Sequence, residues 1–247
     1  MPLVIDSSPA ASTTSAQANA STAFTPPDNS LIIALWAGNT GSVDPLAPSK
    51  SSSPAQTWTT DAWDHKGSGT PSLDGQAAFF HALVGTAPGS TVLTVTNGHN
   101  TAAERGSILK PYVLTGHDLV TPIANANGTR QNGGSTLTVS YTATIDGGQG
   151  FMVVSDWQAN STSAWAAASG CTIVNKGTLA GEISYAVVQR TDPDDVAGFS
   201  TSLGITGLPA GGLYHIAYAS VVSAEAGAAA RGSQWTQQQQ YATASNW

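Results

Sequence analysis

Residues 31–37 read LIIALWA, seven apolar side chains in a row with no polar position among them. A strand wetted on one side alternates apolar and polar residues, and an amphipathic helix repeats its apolar positions every three to four; this run does neither. It is also far too short to cross a bilayer as a helix. The stretch is therefore expected to be a buried strand with apolar residues on both faces. It holds no catalytic side chain, so its purpose lies in the core.

Strand candidates of similar length recur along the chain, at 3–6, 21–24, 56–63, 76–84, 90–97 and 107–114 in the first half. The second half offers 120–126, 135–145, 150–157, 171–176, 183–190, 199–204 and 212–222. Turn sequences such as TAPGS, ANGT, DGGQG and TDPDDVAG separate them. Residues 39–55 read as an exposed Ser/Pro-rich loop, and SAWAAAS at 163–169 as a short helical turn. With 26 Gly, 13 Pro and no sustained helical period, the chain is expected to be all-β, an antiparallel jelly-roll-like β-sandwich.

The order of elements repeats. STAFTPPDNSLIIALWAG at 21–38 is echoed by STLTVSYTATIDGGQGFMVVSDWQA at 135–159, each an alternating strand, a polar corner and a solid apolar strand ending near a Trp. The segments 77–96 and 183–206 correspond in the same way, as do 109–116 and 213–221. This suggests two pseudo-repeated sandwich units over 1–118 and 119–225, or two halves of one larger jelly roll. Trp36 and Trp157 are the expected equivalent core residues.

Charge narrows the function. Only 9% of the 247 residues are charged, the net charge is −7, and the eight basic residues are dispersed, so no cluster can neutralise several phosphates and nucleic acid is not an expected partner. The single cysteine, Cys171, rules out an intramolecular disulfide framework and a multi-Cys zinc site. The start, MPLVIDSSPA, has neither a basic region nor a long apolar stretch, so synthesis in a cytoplasm without ordinary export is expected. No membrane partner is expected.

The densest polar group is WTTDAWDHKGSG, with Asp61, Asp64 and His65 beside Trp58 and Trp63. Two carboxylates flanking a sugar bond would suit a glycosidase, but simple alternation places Asp61 with Trp63 on one face and Trp58 with Asp64 on the other. The histidines His65, His81, His99, His117 and His215 have no ligand partner at metal-binding spacing, and His81 and His215 read as core or half-buried residues. Asp192, Asp194 and Asp195 share one loop without the remaining features of a calcium site. No nucleophile elbow, phosphate loop or zinc-protease motif is present, so no enzyme, cofactor or metal is expected. Trp58, Trp63 and Trp165 lie near loops and are the candidates for stacking on a carbohydrate.

After Val222 the character changes. The last residues hold few large apolar side chains apart from Trp235, Tyr241 and Trp247 around a Gln run. Residues 226–247 read as an extended arm with these three aromatics as anchors on a neighbouring subunit.

The segments FTPPDNSLIIALWAG at 24–38 and LKPYVLTGHD at 109–118, with the PLVIDS start and the closing GLYHIAYASVV, resemble strands of minor tail proteins of tailed bacteriophages infecting actinobacteria. The resemblance covers about 1–225 and carries no catalytic motif. It implies a non-enzymatic structural virion protein, a homo-oligomer in contact with other virion proteins and made in the host cytoplasm. A capsid auxiliary or decoration protein, and a carbohydrate-binding module for adsorption to host-surface glycan, are the alternatives.

Overall fold

The computed structural model describes residues 2–39, 47–65, 75–98, 106–179, 181–191 and 195–224. Among them the chain forms strands only. The first half contains β1 (Val4–Ser7), β2 (Ser12–Thr14), β3 (Ala18–Ala20), β4 (Leu31–Asn39), β5 (Ser49–Ser53), β6 (Thr59–His65), β7 (Gly75–Leu83), β8 (Val92–Thr96) and β9 (Ser107–Thr115). The second contains β10 (Ile123–Asn132), β11 (Thr136–Thr142), β12 (Gln149–Asp156), β13 (Ala166–Ala167), β14 (Cys171–Leu179), β15 (Ile183–Arg190), β16 (Ser200–Thr206) and β17 (Leu213–Val221). Every ladder is antiparallel.

The strands assemble into two sheet pairs. In the first half the order β1-β9-β4-β7-β6 faces the order β3-β8-β5, with β2 pairing alongside β9. In the second half β10-β17-β12-β15-β14 faces β11-β16-β13. Leaving out β2, each strand of the first half maps onto one of the second in the same chain order and at the same place in its sheet. The two halves are two β-sandwich units with one strand order.

These units stack on each other through their larger sheets. Leu31, Ile33, Leu35 and Ala37 of β4, Phe79 of β7 and Tyr112 of β9 share one core with Phe151 and Val153 of β12, Val187 of β15 and Ala217 of β17. The alternate residues of the same strands point the other way. Ala34, Trp36, Ala78, Phe80 and Leu109 meet Leu93 and Val95 of β8, while Met152, Val154, Val188, Tyr214 and Ile216 meet Leu137, Leu203 and Ile205. The described residues thus form four layers of strands with three apolar seams. This is why the 31–37 run lacks alternation: β4 is an inner strand, and all nine of its residues are buried. β12 and β17 are buried along their whole lengths for the same reason, and β11, in an outer layer, alternates strictly.

Some expectations are corrected. The 21–24 stretch is not a strand; β3 lies just before it, and Phe24 makes only an isolated bridge to Thr91. The 39–55 loop contains β5, whose serines pair with β8. The SAWAAAS turn supplies the two-residue strand β13 on β16 in place of a helical turn. The ANGT turn lies inside β10, where a bulge between Ala124 and Asn127 absorbs its irregularity. Trp157 sits in the turn after β12 and is half-buried, so it is not the counterpart of the fully buried Trp36. Strand order carries the repeat; the tryptophans do not.

The seam between units demands one backbone approach that only glycine allows. A Cβ on Gly128 of β10 would lie 2.2 Å from the Trp63 carbonyl oxygen of β6. Gly128→Val should therefore lower stability by about 1–3 kcal/mol, read as a shift of the urea midpoint. Because the seam is common to both units, tryptophan fluorescence and far-ultraviolet circular dichroism should report one coincident transition.

Candidate functional site

The acidic and aromatic residues of β6 were the densest polar group in the sequence, and their surroundings decide what they can do. A bulge between Thr60 and Ala62 breaks the alternation of this strand. Asp61 consequently reaches His81 of β7, with Nδ1 to Oδ2 at 2.7 Å and to Oδ1 at 2.9 Å. Asp64 crosses the seam to the second unit, where its Oδ2 lies 2.7 Å from Nδ1 of His215 on β17. The two carboxylates thus have different imidazole partners. His215 is fully buried and the Asp64 side chain is 14% exposed, which makes this pair a polar rivet across the joint.

Ser155 stands directly opposite His215 in the β12–β17 ladder. Ser155, His215 and Asp64 are the residue types of a hydrolytic triad. The geometry is different: among the described residues neither the Ser155 hydroxyl nor His215 Nε2 has a hydrogen-bond partner. Gly75 closes over both, because a Cβ there would lie 2.8 Å from His215 Cδ2 and 3.1 Å from Ser155 Oγ. With the Gly75 backbone seated against both side chains, the bond this group does make, from His215 to Asp64, joins the two units. Sequence reading missed it because its members lie on three strands far apart in the chain.

The three candidate sugar-binding tryptophans do not converge. Trp165 is only 2% exposed and sits edge-on to Tyr214 in the outer core of the second unit, ring centroids 6.2 Å apart. It cannot belong to an exposed platform. Trp63 packs against the outer core of the first unit, stacks on His65 at 4.0 Å and donates its Nε1 hydrogen to Gln76 Oε1 at 2.9 Å. Trp58 donates to Ser52 Oγ at 3.1 Å and packs on the same core. Only Trp58 and Trp63 share a neighbourhood, and both are half-buried.

Other polar groups are likewise turned inward. Asp195 is 2% exposed and accepts hydrogen bonds from the Tyr141 phenol at 3.0 Å and the Ser220 hydroxyl at 3.0 Å. It clamps the β15–β16 connection to β11 and β17. Asp192 and Asp194 lie outside the described residues, as do His99 and the anchors Trp235, Tyr241 and Trp247. Among the described residues no group of three His, Cys, Asp or Glu side chains could hold a metal ion. Lys110 turns its ammonium onto the Ser8 and Pro9 carbonyls and over the Tyr112 ring, in the gap where β9 changes partner from β2 to β1. Burial holds its pKa below the ordinary lysine value. Pro111, which has no N–H to donate, occupies the same gap.

His117, in the connection between the units, is 3% exposed and bridges to Ser223. Burial depresses its pKa, with Asp118 pulling weakly the other way. A histidine held neutral in the fold contributes stability that is complete above its unfolded pKa of about 6.5 and is lost as pH falls through the lower folded value. His117→Gln should flatten the decline of the unfolding free energy below about pH 6.5, measured by urea titration across pH. Trp165→Ala should behave as a core deletion costing about 3–5 kcal/mol by the same measurement.

No family model, curated protein or solved structure matches this chain.

Proposed function

We propose that this chain is a non-enzymatic structural virion protein of a tailed bacteriophage, and specifically a minor tail protein. The observation that carries the reading is the use made of its polar side chains. Asp61, Asp64, Asp195, His81 and Lys110 each hold one strand, loop or unit to another. That is the economy of a rigid building block. The resemblance of the 24–38 and 109–118 segments to phage tail strands supports the same assignment, now that both are seen to form inner strands of the first unit.

We read each unit as a jelly-roll variant. Numbered within the unit, the strands run 1-8-3-6-5 facing 2-7-4. An eight-stranded jelly roll places 1-8-3-6 against 2-7-4-5, so the difference is the side taken by the fifth strand. The partners in this reading are other virion proteins and further copies of the chain. A capsid auxiliary role would use the same solid and differs only in location.

The test is to purify particles of the encoding phage, identify their proteins by mass spectrometry and locate this chain by antibody labelling in electron microscopy. The expected result is a copy number fixed per particle and label on the tail. Label on the capsid would move the assignment to the auxiliary class. Absence from purified particles would end the virion reading.

A further inference from the structure

Among the described residues the exposed large apolar side chains are Val4, Leu83, Leu119, Val120, Val196 and Phe199, with Val120 90% and Phe199 67% exposed. Single exposed apolar residues scattered over a surface need no explanation. These are not scattered. Val4 pairs with Thr115 at the end of β9. Leu83 ends β7 and stands opposite Leu31, whose other neighbour is Leu114 on β9. Leu119 and Val120 follow β9 directly, in the connection to β10. Val196 and Phe199 lie in the β15–β16 connection, which the repeat places at the equivalent end of the second unit.

Hydrogen bonds tie these pieces into one end of the molecule. The Asp118 N–H donates to the Val222 carbonyl at 2.9 Å, and the Ala224 N–H to the Gly116 carbonyl at 2.7 Å. Ser223 Oγ donates to the Asp146 carbonyl at 2.6 Å, and the Ala197 N–H to Asp146 Oδ1 at 2.9 Å. Asp118 also accepts from the Val120 and Thr121 N–H groups at 2.7 Å each, which fixes the loop that presents Leu119 and Val120. The rim is therefore built and apolar.

The described chain ends in this rim, at Ala224. Residues 225–247 follow and carry Trp235, Tyr241 and Trp247 with only two charges, Glu225 and Arg231. As a coil, the eleven residues from Ala224 to Trp235 reach roughly 15–20 Å, enough to lay an aromatic ring on the rim. Such a tether holds the segment at a local concentration on the order of millimolar, which a second copy in dilute solution cannot match. We propose that this apolar end is the docking surface for residues 225–247 of the same chain, with Trp235 and Trp247 as the anchors over Leu119, Val120 and Phe199. The sequence pointed to a neighbouring subunit as the receptor; the fold offers a nearer one. The assignment is independent of the virion reading.

Arg231 is the only Lys or Arg after Arg190, so tryptic release of residues 232–247 reports on the segment alone. The full-length protein is digested over a wide range of its own concentration, and the fragment is followed by mass spectrometry. Cleavage at Arg231 should be slow at every concentration. It should accelerate about tenfold or more, the effect of roughly 1.4 kcal/mol, in Val120→Ser/Phe199→Ser and in Trp235→Ala/Trp247→Ala. The second variant leaves every described residue unchanged, so it carries the test if the first fails to fold. Cleavage as fast in the unaltered chain as in Trp235→Ala/Trp247→Ala overturns the proposal. So does protection that appears only as concentration rises, since that would place the segment on a second copy.

Discussion

The seam between the six-stranded and the five-stranded sheet is the contact on which everything else in this protein depends. Phe79 and Tyr112 on one side meet Phe151, Val153 and Val187 on the other, with Tyr112 and Phe151 at a centroid distance of 5.1 Å. Burying a side chain of this size is worth about 1.5–3 kcal/mol, and an inner sheet facing water would forfeit that along a whole layer. Each unit closes its own outer seam but leaves this inner face apolar. The units share one topology, and neither is thermodynamically complete alone.

The joint is not purely greasy, and its polar elements make it specific. Leucines and valines would tolerate sliding of one sheet over the other. Asp64 and His215 do not, because a shift of one residue would strand both groups away from water. Gly75 and Gly128 add steric keys, the first beneath the imidazole and the second against the β6 backbone. A related division of labour appears in the second unit, where Asp195 locks a loop beside an apolar core.

Much of the architecture was legible in the chain because burial on both faces leaves an unmistakable mark. The uniform run at 31–37 and the strand candidate at 212–222 became inner strands, and the alternating 135–145 region yielded an outer one. The repeat was legible through element order, since loop chemistry diverges faster than the sequence of layers. What was illegible depended on partners distant in the chain. β2, β3 and β5 are made of Ser, Ala, Thr, Lys and Asn, with no apolar period, and become strands because β9 and β8 offer unpaired edges. The Asp61 and Asp64 pairings rest on a bulge that no local pattern announces. Trp165 looked like a loop aromatic because its seven-residue neighbourhood is small and polar, whereas the pocket that takes it is built by Tyr214 and the strands around it.

The pairing of β1 with β9 has a consequence for how the protein comes into being. The first unit cannot close until Thr115 has left the ribosome, since its opening strand waits for its last. From then on it displays the inner face of β4, β7 and β9 until β12, β15 and β17 arrive, with Val221 about 100 residues later. At about 5–20 residues per second this nascent half stands open for roughly 5–20 s, the interval in which unpaired apolar strands aggregate. The hydroxyl-rich outer sheets, such as the Ser49–Ser53 strand, turn a wettable back to the solvent during that wait. A chain of this design depends on its rate of translation as well as on its final contacts.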